Sequence, residues 1–225
     1  MDTQLFKQTA QTMRTLSDRI CFRWRSNELN ITQVSLNGKT LAHISTPSTQ
    51  APSHISVDAE QVYRVSKGVR KDDVITIQHE GEHLSIQVTN KGGTRIYELS
   101  ALESHLIAKP NLDSTFHAHA VFDAVGFYRA ARDLASTHPN VRISTNGASL
   151  SMQSPAEASP KLSVTLNAME GELTPTELLL SSDQLQHIAR FSSLHKTVTV
   201  RSRPNAPLVL TFGPDALFAL KDIAQ

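Results

Sequence analysis

The chain has 225 residues, long enough for two domains of about 110 residues each. Apolar residues make up 39% of the chain and charged residues 19%, a composition that excludes a disordered protein. The net charge is +1, a sum that by itself does not indicate a nucleic-acid-binding protein. The single cysteine, Cys21, excludes a disulfide framework or a cysteine-rich zinc site, and no apolar run has the roughly 20 residues of a membrane helix.

One pattern occurs four times along the chain: an amphipathic helix, a β-branched strand, a polar turn and a second strand. The helices are predicted, in chain order, at Leu5–Arg19, Asp58–Lys71, Phe122–Ala135 and Ser182–Lys196. The strands after them are predicted at Ile20–Trp24, Leu29–Val34, Val74–Ile77, Leu84–Val88, Val141–Ser144, Ser149–Met152, Val198–Arg201 and Leu208–Phe212, with further strands at Lys39–Ile44, Thr94–Leu99, Phe116–Val121, Lys161–Leu166 and Glu177–Leu180. Asn146-Gly147 is predicted as a two-residue hairpin turn, because both residues tolerate positive φ.

This pattern predicts an α+β protein with two similar halves, each containing two helices and several strands. Between the halves, Ser100–Ser114 has no clear period and contains Pro110, so we predict a linker there. The predicted domains are residues 1–99 and 115–225, joined by a connector at 100–114.

Positive charge is concentrated in the predicted helices. They contain eleven basic and six acidic residues, whereas the rest of the chain contains eleven basic and fifteen acidic residues. Arg64, Lys67 and Lys71 fall at positions i, i+3 and i+7, so they share one helix face. One interpretation is that these charged helix faces are simply solvated. Because a basic face recurs in all four predicted helices, we favour a surface that binds nucleic-acid phosphates. The low aromatic content favours binding to duplex rather than to single-stranded nucleic acid.

Several short sequences resemble the sliding DNA clamps related to proliferating cell nuclear antigen. Asp73-Val74-Ile75-Thr76-Ile77 is similar to a family strand that follows a lysine-bearing helix, and Arg129-Ala130-Ala131-Arg132-Asp133-Leu134 is similar to a family helix. Thr197–Val200 and Ala206–Leu210 resemble its final hairpin. The resemblance implies two similar clamp domains per subunit, each with two helices packed on antiparallel sheets, assembled into a ring around duplex DNA.

The resemblance also implies site residues. Basic side chains expected to face DNA are Arg64, Lys67, Lys71, Arg129, Arg132, Arg190, Lys7 and Arg14. An apolar groove beside the connector, which in the family binds partner peptides, is expected to involve Val34, Leu36, Leu106, Ile107, Pro207, Phe218 and Leu220. Subunits are expected to pair through strand edges near Thr94–Leu99 and Lys161–Leu166.

The resulting hypothesis is a polymerase processivity factor: a homotrimeric ring that encircles duplex DNA without sequence preference and tethers a DNA polymerase and other replication or repair proteins. It requires no cofactor, metal or catalytic residue. The N-terminus has no basic region followed by an apolar run, so we expect a protein that is not secreted and acts in the nucleus or at other intracellular replication sites. Divergence from cellular members suggests a viral or otherwise distant clamp.

Other hypotheses remain open at this point. The chain could be one subunit of a heterotrimeric checkpoint-type ring, a monomeric or dimeric viral processivity factor, or a protein-binding scaffold without a DNA role. A remote alternative is a zinc enzyme, because His79-Glu80-Gly81-Glu82-His83 matches the HExxH pattern. That chemistry needs a helix to bring both histidines to one face, whereas this segment is predicted as a hairpin turn.

Overall fold

The computed structural model describes residues 1–103 and 118–223. The chain divides into two compact units: unit 1 comprises Met1–Leu36 and Ala42–Lys109, and unit 2 comprises Asn37–Leu41 and Pro110–Gln225. Residues 104–114 of the predicted connector lie outside the described residues.

Unit 1 contains two helices that pack on antiparallel sheets. Its elements are α1 (Thr3–Leu16), β1 (Arg19–Arg25), β2 (Glu28–Val34), β3 (Thr40–Pro47), β4 (Ser53–Asp58), α2 (Ala59–Lys67), β5 (Val74–Glu80), β6 (His83–Asn90) and β7 (Gly93–Ser100). In the sheets the strand orders are β3-β2-β1-β4 and β5-β6-β7. Phe6, Met13, Phe22 and Trp24 are among the largest buried side chains of this core.

Unit 2 repeats this order and adds one strand before its first helix. Its elements are β8 (Ala118–Asp123), α3 (Ala124–Ala135), β9 (Asn140–Gly147), β10 (Ser149–Gln153), β11 (Ser163–Asn167), β12 (Glu170–Ser181), α4 (Ser182–Ala189), a 3-10 turn (Arg190–Ser193), β13 (Thr197–Ser202), β14 (Leu208–Phe212) and β15 (Ala216–Leu220). The strand order is β11-β10-β9-β12-β8-β13-β14-β15.

The predicted fourfold pattern of a helix followed by a hairpin is confirmed. Three predicted helices were too long at their C-terminal ends. α1 ends at Leu16 because Arg19 pairs with Asp58 in the sheet, and α2 ends at Lys67, followed by Gly68 as its C-cap. In place of the last turns of the fourth predicted helix, the chain forms the 3-10 turn after Ala189.

One further prediction was wrong in detail, and one strand was missed. The β9–β10 hairpin pairs Asn146 with Ser149, so its turn residues are Gly147, at φ 55°, and Ala148, one position later than predicted. β15 was not predicted, because alanine and leucine have weak strand preference. It forms through pairing with β14, and this places Phe218 in contact with Phe191 and Phe212 in the core of unit 2.

The segment 37–41 belongs to unit 2, although the sequence places it inside the first half. The backbone N–H of Lys221 donates to the carbonyl oxygen of Lys39 at 2.7 Å, and the Thr40 hydroxyl donates to Gln184 at 3.1 Å. Nothing in the local sequence pattern indicates this exchange, since it depends on contacts with residues 144 or more positions away.

Asp73 fixes the turn between α2 and β5. Its side chain accepts hydrogen bonds from the backbone N–H of Arg70 at 2.9 Å, from the Asn90 amide at 3.0 Å and from the Arg95 guanidinium at 3.0 Å. These donors, foremost the Arg70 N–H, hold the pKa of Asp73 below the ordinary aspartate value of 3.8.

We expect this carboxylate to make unit 1 sensitive to acid. Because its folded pKa is depressed, the stabilisation is complete above about pH 3.8 and is lost as the pH falls through the lower, folded value. Urea unfolding across this range should show the free energy of unfolding falling with pH, and Asp73→Asn should be destabilised at neutral pH with a flatter profile. Asp72→Asn, at the adjacent exposed position, serves as the control; equal profiles for wild type and Asp73→Asn would contradict the assignment.

Candidate nucleic-acid interface

Each unit presents a pair of packed helices, α1 with α2 in unit 1 and α3 with α4 in unit 2. The helices begin at side-chain caps, which the sequence supplies at Asp2, Asp58, Asp123 and Ser181. Each helix buries its apolar stripe, so the opposite side chains are left at the surface.

The α1–α2 pair carries a connected basic cluster. Glu60 forms ion pairs with Arg14 at 2.6 Å and with Arg64 at 3.3 Å. The ring of Tyr63 lies between two cations, with the Arg14 guanidinium 4.2 Å and the Lys67 ammonium 4.6 Å from its centroid. These contacts hold three cationic groups near one another on the surface, at a gain of about 0.5–1 kcal/mol per exposed cation–π contact.

Two other residues predicted to bind DNA lie at the ends of this surface. Lys7 is half-buried on α1, seven residues before Arg14 and therefore on the same helix face. Lys71 is exposed, but it lies in the turn after α2 rather than on the helix as predicted.

In unit 2 the basic face is formed mainly by α3. Arg129 and Arg132 are exposed and share a helix face with Val125, which is 49% exposed. Arg132 pairs with the neighbouring Asp133 at 2.9 Å. Arg190, predicted on a helix, opens the 3-10 turn after α4 and is half-exposed.

The observed helix boundaries reduce the charge segregation that the sequence predicted. Within the four α-helices of the described residues, 1–103 and 118–223, the basic residues are Lys7, Arg14, Arg64, Lys67, Arg129 and Arg132, and the acidic residues are Glu60, Asp133 and Asp183. The helices therefore remain net positive, but α4 contains no basic residue apart from histidine.

Sequence reasoning missed the roles of Glu60 and Tyr63. The ion pair between Glu60 and Arg64 could have been predicted from their i, i+4 spacing on one helix. The contacts to Arg14 could not, because they depend on how α1 packs against α2.

The residues predicted for the partner-peptide groove occupy different environments. Leu36 is 82% exposed, Val34 and Pro207 are half-buried, and Leu106 and Ile107 lie outside the described residues. Phe218 and Leu220 are 0% and 2% exposed, so in this chain they are core residues and offer no surface to a peptide.

Pro207 lines a surface cleft of about 430 Å³ within unit 2. The segment 175–178, the 204–207 turn and the side chains of Lys39, Lys221 and Asp222 form the rest of its lining. Its mixed apolar and charged walls suit a peptide better than a small apolar ligand.

The HExxH segment forms a hairpin, as predicted. His79 and Glu80 end β5, His83 begins β6, and Glu80 is the strand partner of His83. The ring of His79 stacks on Trp24, with centroids 6.1 Å apart, and its Nε2 lies 3.0 Å from the Gly81 carbonyl oxygen. Across residues 1–103 and 118–223, no group of three or more His, Cys, Asp or Glu residues is placed to hold a metal ion.

Two strand edges complete the candidate surfaces. β7 ends the sheet of β5, β6 and β7, and β11 ends the sheet of unit 2, at the positions where the resemblance implied pairing edges. Ile96 on β7 is 58% exposed. No helix in the described part of the chain is long and apolar enough to cross a membrane.

Comparison with known proteins identifies the fold. No protein-family model and no curated protein sequence matches the chain. A solved structure, the PCNA2-PCNA3 complex from Sulfolobus tokodaii, superposes with a TM-score of 0.86 over 100% of this chain and 98% of that chain, at 17% sequence identity. The chain therefore has the PCNA fold, which confirms the predicted α+β arrangement of two similar units.

Proposed function

We propose that this chain is a subunit of a DNA sliding clamp, a ring that encircles duplex DNA and tethers a polymerase without catalysing a reaction. The observation that carries the proposal is the exposed basic residues on packed helices of both units, in a chain with the PCNA fold. Phosphate contacts by such residues are independent of sequence, as sliding requires.

The cluster on α1 and α2 is suited to weak, exchangeable contact. Arg14 and Arg64 are already paired with Glu60, so a phosphate must compete with a carboxylate for each guanidinium. Exposed ion pairs are worth about 0–1 kcal/mol, so this exchange costs little in either direction. A closed ring needs no tighter contact, because its topology retains it on DNA.

Ring closure is proposed to occur by pairing of β7 of one subunit with β11 of the next. Such a head-to-tail contact between two different edges forms a closed ring when the rotation between subunits permits. We favour a homotrimer. A ring of different subunits is the second candidate, because the similar solved structure is a PCNA2-PCNA3 complex.

The proposed partner is a DNA polymerase that binds through a short peptide. The candidate contact is the cleft of unit 2 that Pro207 lines. Tethering raises the effective concentration of the polymerase at the primer end, so a modest affinity for the peptide is sufficient.

The test is retention on DNA of defined topology. The purified protein is loaded on a nicked circular duplex, with a clamp loader where spontaneous loading is not seen, and is then passed through a sizing column at high salt. We expect retention on the circle and loss after linearisation, because a ring slides off a free end. Equal loss from both DNA forms would refute the clamp, and a mass in solution that stays at one protomer would refute the homotrimer.

A further inference from the structure

One edge of β12 is left open along part of its length. β12 pairs with β9 on one side at 176–181, whereas on the other side it pairs with β8 only at 170–172. Beyond this pairing, the hydroxyl group of Thr174 donates to the carbonyl oxygen of Ser202 at 2.8 Å. Between Thr174 and Leu179, this second edge of β12 has no strand partner in the part of the chain that the structure describes.

Leu179 shows which way the backbone groups of this edge point. Its N–H donates to the Asp222 carboxylate at 3.3 Å, and its carbonyl oxygen accepts from the N–H of Ile223 at 2.9 Å, so both groups point away from β9. Because these directions alternate from one strand residue to the next, the backbone N–H and C=O of Glu177, two residues earlier, also point away from β9. Neither of these two groups has a hydrogen-bond partner among the described residues. Glu177 therefore offers one donor and one acceptor to an incoming strand.

Glu177 lies in the wall of the cleft of about 430 Å³ that Pro207 lines, a volume within the range of about 300–1,000 Å³ that is typical of ligand sites. Lys39 and Lys221 line the same cleft. The N–H of Lys221 donates to the carbonyl oxygen of Lys39 at 2.7 Å, so the two side chains originate from neighbouring backbone positions. Lys221 is exposed and Lys39 is half-buried. The cleft therefore combines an open backbone position with two cationic side chains.

The charged groups of the cleft differ in whether they have partners. The Glu177 carboxylate forms an ion pair with Arg142 at 2.6 Å, and the Asp222 carboxylate accepts the N–H of Leu179. Neither lysine ammonium group forms an ion pair with any residue in the ranges 1–103 and 118–223. A carboxylate placed beside the two lysines therefore gains charge-assisted hydrogen bonds without displacing an existing partner.

We propose that this cleft binds an extended acidic segment of a partner protein, which pairs with the open edge of β12 at Glu177 and places a carboxylate beside Lys39 and Lys221. Such strand addition obtains affinity from backbone hydrogen bonds and specificity from side chains. The inference rests on the proposed contact of a polymerase peptide with this cleft and specifies the chemistry of that peptide. The peptide carries Asp or Glu, in place of a neutral or basic side chain, at the position next to the two lysines.

A nucleic acid is a less suitable anion for this cleft. It carries a phosphate at every nucleotide, and successive phosphates come near the carboxylates of Glu177 and Asp222, which line the cleft together with the lysines. Like charges at such short distances repel each other. A peptide can carry one acidic side chain beside the lysines and neutral side chains elsewhere, so it avoids this repulsion.

The experiment uses the full chain and three pools of fluorescent synthetic peptides of about seven residues, the length of a typical strand. The central residue is Glu in the first pool, Gln in the second and Lys in the third, and the other positions are mixtures of Val, Thr, Leu and Ser. Both peptide ends are capped, so that no terminal charge contributes. We expect the Glu pool to bind about tenfold more tightly than the Gln pool in fluorescence polarisation, and the Lys pool to bind most weakly. The amide resonance of Glu177 reports the site by NMR.

A double variant of the protein tests the two lysines. Lys39→Met with Lys221→Met keeps the length of both side chains but removes their charge, so we expect the Glu and Gln pools to bind it equally. Lys161→Met with Lys196→Met, at two exposed positions of unit 2 that do not line the cleft, is the matched control and should keep the tenfold preference.

Several results would overturn the proposal: no binding of the Glu pool at about 1 mM peptide, equal binding of the Glu and Gln pools to the wild type, or an unchanged Glu177 resonance. Displacement of the Glu pool by a short mixed-sequence oligonucleotide would assign the lysines to nucleic acid instead. A lower oligomer mass of the Lys39 and Lys221 double variant would assign the cleft to contact between copies of this chain.

The outcome can be separated from that of the clamp experiment. We expect the Lys39 and Lys221 double variant to be retained on nicked circular DNA as the wild type is, because neither residue lies on the basic helix faces. Normal retention without a preference for the Glu pool refutes this inference alone. Loss of retention by the wild type refutes the clamp and leaves the peptide measurement valid.

Discussion

Charge reversal on the basic helix faces is expected to weaken binding to short linear duplex DNA by about a hundredfold. This estimate allows for four lost phosphate contacts of about 0.5–1 kcal/mol each, with repulsion in their place. The slope of log affinity against log salt concentration should become shallower by about 3–4, since each phosphate contact contributes about 0.9. The changes are made together: Arg64→Glu, Lys67→Glu, Arg132→Glu and Arg190→Glu.

The control variant reverses the charge of four basic residues that lie away from the helices: Arg25, Lys91, Arg142 and Lys221. One of them, Arg142, is ion-paired, as Arg132 is in the helix variant. We expect the control to keep a salt slope close to that of the wild type, and both variants to keep the wild-type oligomer mass. An unchanged slope in the helix variant would show that these faces do not contact DNA.

Glu60→Gln should act in the opposite direction. Removing this carboxylate leaves Arg14 and Arg64 free for phosphate, so affinity for duplex should rise by about two- to threefold. Because the substitution changes charge without changing size, a gain in affinity cannot be attributed to lost packing. Decreased affinity would indicate that Glu60 serves instead to hold the two arginines in position.

The second large effect is expected at the subunit edge. Ile96→Asp places a charge on the exposed face of β7, where the proposed ring contact buries it, and we expect the ring to dissociate to single protomers at low micromolar concentration. An unpaired buried charge costs about 3–5 kcal/mol, enough to weaken association more than a hundredfold. Sedimentation equilibrium provides the mass.

Val74→Asp is the matched control for the edge. Val74 is 65% exposed and lies on β5, at the opposite edge of the sheet from β7. Val74 pairs with Thr89, and Thr89 pairs with Thr94. Because Thr94 and Ile96 are two residues apart on β7, Val74 and Ile96 lie on the same face of the sheet. We expect this variant to keep the wild-type mass. Dissociation of both variants would point to general destabilisation of the sheet, and dissociation of neither would exclude β7 as the contact.

Much of the fold could be read from periodicity and capping. The hydrophobic period of the four helices, the alternation in Val74–Ile77 and Val198–Val200, and N-caps such as Asp58 are local signals, and each corresponds to an element in the structure. The helix ends were less predictable. At Arg19 the helical pattern continues, but pairing of this residue with Asp58 favours the strand.

The candidate site was predicted in part. Exposed basic positions such as Arg64 and Arg132 follow from helix spacing, because residues three or four apart share a face whatever the rest of the chain does. The placement of Tyr63 between Arg14 and Lys67 follows from the packing of α1 on α2, and no sequence period contains that information. The burial of Phe218 was missed because it depends on the pairing of β15 with β14.

The sequence by itself determined the repeated helix and hairpin units and the positive charge on their helices, since propensity, capping and period act within about ten residues. Only the tertiary structure decided which cations meet Glu60 and that segment 37–41 belongs to unit 2. These features arise from contacts between residues far apart in the chain, whose free energy depends on the register and packing of whole elements.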